Sequence, residues 1–185
     1  MIKEQLRKVE IGTEKEQDML ENQAKIVFLG IGSNLGLRKK NIEKAKFYLF
    51  QNDLHFISIS NYYETLSWPN PNDPKFLNIV LKIKSKLNPL DLLNLCKNIE
   101  IKLGRTKSVK NAPRVCDLDI IDFDGYTLSR TDIVNLPHKL MHTRNFVLLP
   151  LFEINKDWIH PVTKNHIKKL ILSLPNRDIR SIKQI

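Results

Sequence analysis

Apolar residues recur along this chain in two rhythms, one of about two residues and one of three to four. Ile26 to Ile31 reads as a short buried strand, closed by the turn-rich run Gly30-Ile-Gly-Ser-Asn-Leu-Gly36. From Leu37 to Phe50 the apolar positions Ile42, Ala45, Leu49 and Phe50 come three to four residues apart among Lys and Glu, which predicts a surface helix. Leu54 to Tyr63 alternates imperfectly and reads as a half-buried strand from Phe56 onward, with Ile57 and Ile59 on one side and Ser58 and Ser60 on the other. Glu64 to Pro74 holds Trp68, Pro69, Pro71 and Pro74 and is expected to be loop, because proline removes a backbone donor and fixes φ. Phe76 to Ile83 resumes strand character. Asn88-Pro89 then opens a helix carried by Leu90, Leu93, Leu95, Cys96, Ile99 and Leu103 until Gly104 stops it. Asp117 to Phe123 is the next strand, and Asp124-Gly125 a tight turn after which Tyr126 to Leu128 is expected to return as a short strand. Val147 to Ile154 and His166 to Leu174 read as further helices, followed by a basic end.

The core order strand, helix, strand, strand, helix, strand is that of the ferredoxin-like split β-α-β arrangement. The expected class is therefore α+β: an antiparallel βαββαβ sheet with its helices on one face, plus C-terminal additions. Fold alone does not give function. A chain of 185 residues with 42% apolar content can bury one core, so residues 25–185 are expected to form one domain. No apolar run approaches the length of a membrane span. Residues 1–24 lack the apolar centre of a secretory signal and carry Glu4, Glu10, Glu14, Glu16, Asp18 and Glu21, unlike an acid-poor transit peptide; a solvated helix or a disordered extension is expected there. Cys96 and Cys116 have no metal spacing and no disulfide framework, which suits reduced packing residues in a cytoplasmic protein.

The net charge of +10, from 30 basic and 20 acidic residues, could serve nucleic acid, a membrane surface or an anionic small substrate. The lysines are spread rather than massed and no recognition motif is present, which disfavours nucleic acid. The oddest local choice is Asp117-Leu-Asp119 inside a β-branched strand, since strands usually reject Asp. Two residues apart on a strand, the two carboxylates share a face at a Cα separation of roughly 6 to 7 Å, from about 3.3 Å of rise per residue. Leu118 and Ile120 supply the opposite, buried face, while Ile121 and Phe123 continue the Asp face as apolar. One reading is a solvated edge. The other is a site for Mg²⁺, which takes hard oxygen ligands together with substrate phosphates. Arg105, Lys107, Lys110 and Arg114 stand just upstream as an anion-binding set, and carboxylates beside cations suit phosphoryl chemistry. Asn78, polar within an apolar strand, calls either for a structural partner or for a ligand. His138 and His142 are four apart, but Pro137 and the lack of a suitably placed acid disfavour zinc.

Taken together, Gly32-Ser-Asn34, Phe76-Leu-Asn78, Ile99-Glu100 with Gly104-Arg105, Lys110-x-Ala-Pro-Arg114-x-x-Asp117-Leu-Asp119-Ile-Ile, Leu136-Pro-His138 and Arg144-x-Phe146 resemble the 6-hydroxymethyl-7,8-dihydropterin pyrophosphokinase family. The match runs over about Lys25 to Asp157, six motifs in order. The resemblance implies an enzyme that moves the terminal pyrophosphate of ATP to the hydroxymethyl group of the pterin and releases AMP, in folate biosynthesis. It implies Asp117 and Asp119 as ligands of two Mg²⁺ ions, ATP as co-substrate, and Arg105 and Arg114 as catalytic phosphate contacts. By the same resemblance Glu100, Lys107, Lys110, Ile120, His138 and Arg144 lie along ATP. Thr65, Leu66, Phe76, Asn78 and Phe146 meet the pterin, the two phenylalanines sandwiching its ring. Implied partners are these small molecules and a fused or associated folate-pathway enzyme. The chain departs from the family pattern at Lys107, where Arg is frequent, in a basic loop about one residue short, at Leu66 and Trp68, and at Lys139. Two alternatives stand beside this reading: a pyrophosphokinase-like domain that is inactive or partner-dependent, and a basic ferredoxin-like nucleic-acid binder.

Overall fold

Alternating valine, leucine and isoleucine make Lys25–Ser33 a strand (β1) at the heart of the sheet, seen here in a computed structural model that describes residues 23–106, 111–128 and 135–185. Helix α1 (Arg38–Phe50) follows, then β2 (His55–Ile59), β3 (Tyr63–Thr65), β4 (Phe76–Ser85), α2 (Pro89–Lys102) and β5 (Asp117–Phe123). A 3₁₀ turn (Met141–Thr143) leads to α3 (Asn145–Ile154), α4 (Ile167–Leu172), α5 (Asn176–Ser181) and the two-residue β6 (Lys183–Gln184). The sheet runs β5-β1-β4-β3-β6, with β2 also on β4, and every pairing is antiparallel. Removing β3 and β6 leaves β1, α1, β2, β4, α2 and β5 in the ferredoxin-like βαββαβ order. Among the described residues no helix is long and apolar enough to cross a membrane.

Each face of the sheet has its own core. Val27, Leu29, Ile31, Leu77, Ile79, Leu81, Ile83, Leu118 and Ile120 point toward α1 and α2 and pack on Ile42, Leu49, Leu92 and Cys96. Helix α2 starts as its sequence predicts: Asn88 Oδ1 accepts the Asp91 N–H at 2.9 Å, and Pro89 takes the first turn, where no donor is needed. The opposite face is closed at one end by the C-terminal additions, where Phe28, Val80 and Ile121 meet Met141, Val147, Leu148, Leu151, Trp158 and Ile167. Trp158 Nε1 donates to the buried Asp122 Oδ2 at 2.7 Å, and Gly125 N donates to Asp122 Oδ1 at 3.0 Å.

Several sequence expectations are corrected. Gly30 and Gly32 lie inside β1, which runs to Ser33, and only Gly36, at φ +63°, is a turn glycine of that run. Alternation in β5 breaks: Phe28 pairs with Asp122 but Leu29 pairs with Ile120, so Ile121 is bulged out. Ile121 stays on the Asp117 and Asp119 face, while Phe123 turns to the helix-covered core rather than continuing the Asp face. A second bulge at Ile57 leaves Ile57 and Ile59 of β2 43% and 42% exposed, with Phe56 packing inward. Glu64 and Thr65 belong to strand β3 and not to a loop, because the prolines begin only at Pro69 and leave Tyr63 to Thr65 free to pair with Asn78 to Phe76. Tyr126 to Leu128 makes one bridge, Leu128 to Leu136, instead of a strand. The basic end forms α5 and β6, the latter pairing with β3. Both cysteines are free and buried, and burial pushes their thiols up to about 12, as inert packing residues require.

Candidate active site

Strand register assembles the site. Gly32 of β1 is opposite Asn78 on β4 and Asp117 on β5, so Asn78, Gly32 and Asp117 form one row across three strands. In the next row Gly30 lies between Val80 and Asp119. Two strand spacings separate Asn78 from Asp117, roughly 10 Å, and the glycines between them put no side chain on the floor. A Cβ on Gly32 would stand 2.9 Å from Asn78 Oδ1 and 3.5 Å from Phe76 Cδ1, so only glycine fits there without displacing the amide. The sequence signal for this floor was the Gly-Ile-Gly alternation, which reads as a turn until the register is known.

On the β4 side Asn78 is buried and its Nδ2 donates to the buried Thr65 Oγ1 at 3.1 Å. The Asn78 carboxamide therefore has a structural partner on one side while its Oδ1 faces the glycine floor. Phe76 lies next to it, with the Arg114 guanidinium 5.4 Å from its ring centroid. Phe146, in the first turn of α3, carries Arg144 over its ring at 5.5 Å. Leu66 is exposed.

On the β5 side Asp117 is held by both arginines: Arg105 Nη1 is 2.7 Å from Oδ1 and Arg114 Nη2 3.1 Å from Oδ2. Among the described residues no acceptor meets the buried Arg114 Nε, a donor that an anion would satisfy. Glu100 is only 1% exposed; its Oε1 accepts the Leu118 N–H at 2.7 Å, its Oε2 lies 2.7 Å from Arg105, and Lys97 reaches it at 3.1 Å. Glu100 thus anchors Arg105 and pins β5 between the two aspartates. Burial pushes its carboxyl above the usual range, against the lowering effect of the Leu118 N–H and of Lys97.

Asp119 also sits above the ordinary carboxylate range, first through desolvation and then through the neighbouring Asp117 charge; His138, Lys97 and Arg144 pull the other way. His138 is lowered, chiefly by burial, with Asp119 opposing. Its Nδ1 accepts the Leu140 N–H at 3.2 Å, so neutral His138 carries its proton on Nε2. The His138 backbone N–H donates to Ile121 O at 2.9 Å. The fold therefore gathers Arg105, Arg114, Asp117, Asp119, His138 and Arg144 around one end of the open face, with Asn78, Thr65 and Phe76 across the glycine floor. The Ile120 side chain points into the helix-covered core, away from both aspartates. Lys107 and Lys110 lie outside the described residues.

The donor set fits a divalent cation. Two hard carboxylates share a face, and among the described residues no cluster of three His, Cys, Asp or Glu gathers as a structural cage would require. A pair of carboxylates, with the remaining coordination left to water and phosphate, matches the way Mg²⁺ is held.

One buried residue that sequence reasoning did not assign to the site is Asn34. It bonds the Arg114 backbone on one side and the loop between Leu66 and Lys75 on the other. Its signal was the Gly32-Ser-Asn34 triplet.

Fold and site together define a ferredoxin-like α+β domain with a carboxylate and guanidinium centre on the open face of its sheet. Residues 28–156 match the family model described as 7,8-dihydro-6-hydroxymethylpterin-pyrophosphokinase (HPPK), and the chain belongs to that family. It is 38% identical over 143 residues to the 2-amino-4-hydroxy-6-hydroxymethyldihydropteridine pyrophosphokinase of Aquifex aeolicus, covering 77% of this chain and 88% of that protein. It is 33% identical over 157 residues to the folic acid synthesis protein fol1 of Schizosaccharomyces pombe, covering 84% of this chain and 21% of that protein. The chain therefore spans about a fifth of the folic acid synthesis proteins it matches, 21% of the fission yeast one and 23% of that of Dictyostelium discoideum. The crystal structure of Plasmodium falciparum HPPK-DHPS A437G/K540E with pterin and p-hydroxybenzoate superposes with a TM-score of 0.68 at 17% identity, over 89% of this chain and 48% of that one. That likeness is one of fold.

Proposed function

We propose that this chain transfers the terminal pyrophosphate of ATP to the hydroxymethyl group of 6-hydroxymethyl-7,8-dihydropterin, releasing AMP, as a step of folate biosynthesis. The observation that carries the reading is the Asn78, Gly32, Asp117 row: an amide-lined slot for a flat acceptor, one glycine away from a carboxylate pair flanked by guanidinium groups. In it Asn78, with backbone near Thr65 and Leu66, reads the hydrogen-bonding edge of the pterin, and Phe76 and Phe146 stack on its two faces.

Asp117 and Asp119 hold Mg²⁺, two ions in this reading, which when bound supplies neutralisation of phosphate charge and Lewis-acid polarisation. Arg105 and Arg114 leave Asp117 for the phosphate oxygens, where their planar donors match the anion. In this reading Lys107, Lys110, His138 and Arg144 serve the nucleotide, Glu100 acts by holding Arg105 in place, and Ile120 contributes through its backbone alone, since its side chain lies in the helix-covered core. The hydroxymethyl oxygen attacks the β-phosphorus, the bond from that phosphorus to the α-phosphate bridging oxygen breaks, and AMP leaves with the electron pair. Asp119 accepts or orients the hydroxyl proton. No covalent enzyme intermediate is needed, so positioning and charge neutralisation carry the rate.

Residues 25–185 act as the catalytic unit in this reading, in the cytoplasm, beside a folate-pathway neighbour. The Pisum sativum relative is named as a mitochondrial folate synthesis bifunctional protein. Purified protein with Mg²⁺, ATP and the pterin should release AMP only when the pterin is present. A folded protein that releases none would leave a binding-only domain, and salt-sensitive binding of single-stranded RNA in its place would favour the nucleic-acid alternative.

A further inference from the structure

Asn34 follows β1 directly and is 3% exposed, yet none of its side-chain bonds serves the sheet. Its Oδ1 accepts the Arg114 N–H at 2.6 Å, and its own N–H donates to Arg114 O at 3.1 Å. Its Nδ2 donates to Pro74 O at 3.1 Å and to Ser67 Oγ at 3.3 Å. Ser67 Oγ donates in turn to Pro74 O at 2.6 Å, which ties the two ends of the 66–75 loop together at the carboxamide. One side chain thus joins segments 33, 40 and 80 residues away from it. The loop it holds leads out of Thr65, the partner of Asn78, and back into Phe76. The segment it holds on the other side carries Arg114, whose guanidinium sits on Asp117 and over Phe76.

We propose that Asn34 is a positioning residue that couples the acceptor-side loop, through Ser67 and Pro74, to the phosphate-side Arg114, so that order imposed on one is transmitted to the other. The carboxamide satisfies its oxygen and both N–H groups in a single rotamer. Releasing the loop contacts frees that rotamer, and the Arg114 backbone loses a fixed acceptor. A ligand that orders the loop therefore lowers the entropy still to be lost when Arg114 is fixed on phosphate, and the reverse holds by linkage. The site of coupling is specific to loops that flank the slot.

This inference rests on the pterin and ATP reading above, and its test separates the two. Binding of 6-hydroxymethylpterin is titrated with and without α,β-methylene ATP and Mg²⁺, in wild type, Asn34→Asp and Ser67→Ala. Asn34→Asp keeps the acceptor for Arg114 N but turns an oxygen toward Pro74 O and adds a negative charge, and Ser67→Ala weakens the loop arm without one. Nucleotide should tighten pterin binding in wild type, and Asn34→Asp should reduce that tightening by about tenfold, a typical coupling loss, with Ser67→Ala in between. Affinity for the nucleotide alone should also fall, by less than the coupling does, because Arg114 is then less ordered before it meets phosphate.

A second readout needs no ligand: hydrogen exchange of the Arg114 amide. Ser67→Ala touches nothing at Arg114, yet the proposal requires faster exchange there as well as in residues 66–75. Exchange that quickens only in the loop, or a folded Asn34→Asp protein that keeps the wild-type coupling, overturns the proposal. Wild type that binds neither ligand would sink the functional reading, while the exchange result would still decide whether Asn34 links the two segments.

Discussion

The two faces of this one sheet make an informative contrast. The face toward α1 and α2 is built of Val27, Leu29, Ile79, Leu81 and Leu118, all nearly or fully buried, and its logic is exclusion of water. The other face is closed only toward one end, by α3 and the C-terminal helices, and elsewhere carries Asn78, Asp117, Asp119 and two glycines. Alternation alone lets a strand bury one face and open the other, but changing which residues lie on which face takes a further device. In β5 that device is the bulge at Ile121, which sends Phe123 into the helix-covered core while Asp122 joins Trp158 on the capped side. The difference teaches that one face is given wholly to excluding water, while the other keeps a second core at its capped end and holds charge, at a cost in stability, at its open end.

Asp119→Asn should cut pterin-dependent AMP release about a thousandfold, at the upper end of the cost of deleting one electrostatic group. Because it removes a desolvated carboxyl beside Asp117, the same variant should melt no lower than wild type, and by about 2 to 4 °C higher if the relief reaches 1 kcal/mol. Turnover near the wild-type rate would break the contrast from the functional side.

Leu81→Ala, on the closed face, should do the reverse. It should lose about 2 to 5 kcal/mol of stability in denaturant unfolding, with turnover per folded molecule kept. If it melts like wild type, the helix-covered core is not the stabilising face.

Gly32→Ala sharpens the boundary between the two roles. Its methyl would meet Asn78 Oδ1 at 2.9 Å, so the amide must shift. An overpacking cost of about 1 to 3 kcal/mol should appear mainly as weaker binding in a 6-hydroxymethylpterin titration. Unchanged affinity would remove Asn78 from the acceptor slot.

The smallest effect is expected at the capped end. Burial holds His160 below its ordinary value, so the unfolded chain takes up a proton first as pH falls. The stability His160 contributes is therefore present above about pH 6.5 and lost below it. Melts at pH 7.5 and 5.5 should show wild type losing more stability than His160→Asn as pH falls. Asn can replace the Nδ1 acceptor that meets Val162 N and Thr163 N. Parallel losses in both proteins would show that His160 is not the group that titrates.

Much of the fold is readable from local pattern. Helix α2 announces itself through Asn88-Pro89 and Gly104, and β5 through its apolar run, because caps and periodicity act over a few residues. Strand β3 was hidden by the prolines that follow it, and β6 by being two residues long; both exist only because a neighbouring strand offers them partners. The same limit applies at the site. Asp117 and Asp119 stand out in the sequence because carboxylates are costly in an apolar strand, and Arg105 and Arg114 because they are close by. Glu100 could be singled out as part of the site, but its place under Arg105 and on the Leu118 N–H is visible only once α2 lies against β5.

What the sequence determined by itself was chemistry and rhythm: the alternation that makes strands, the 3.6-residue stripes that make helices, and the residue types able to hold a cation beside a phosphate. Those properties are local, set by side-chain character and backbone preference. Tertiary structure decided which residues face one another. Register placed Gly32 between Asn78 and Asp117, turned an apparent glycine turn into the floor of a slot, and gave Asn34 partners on two separate loops. Such relations follow from contacts between segments far apart in the chain, which no single stretch of sequence can specify.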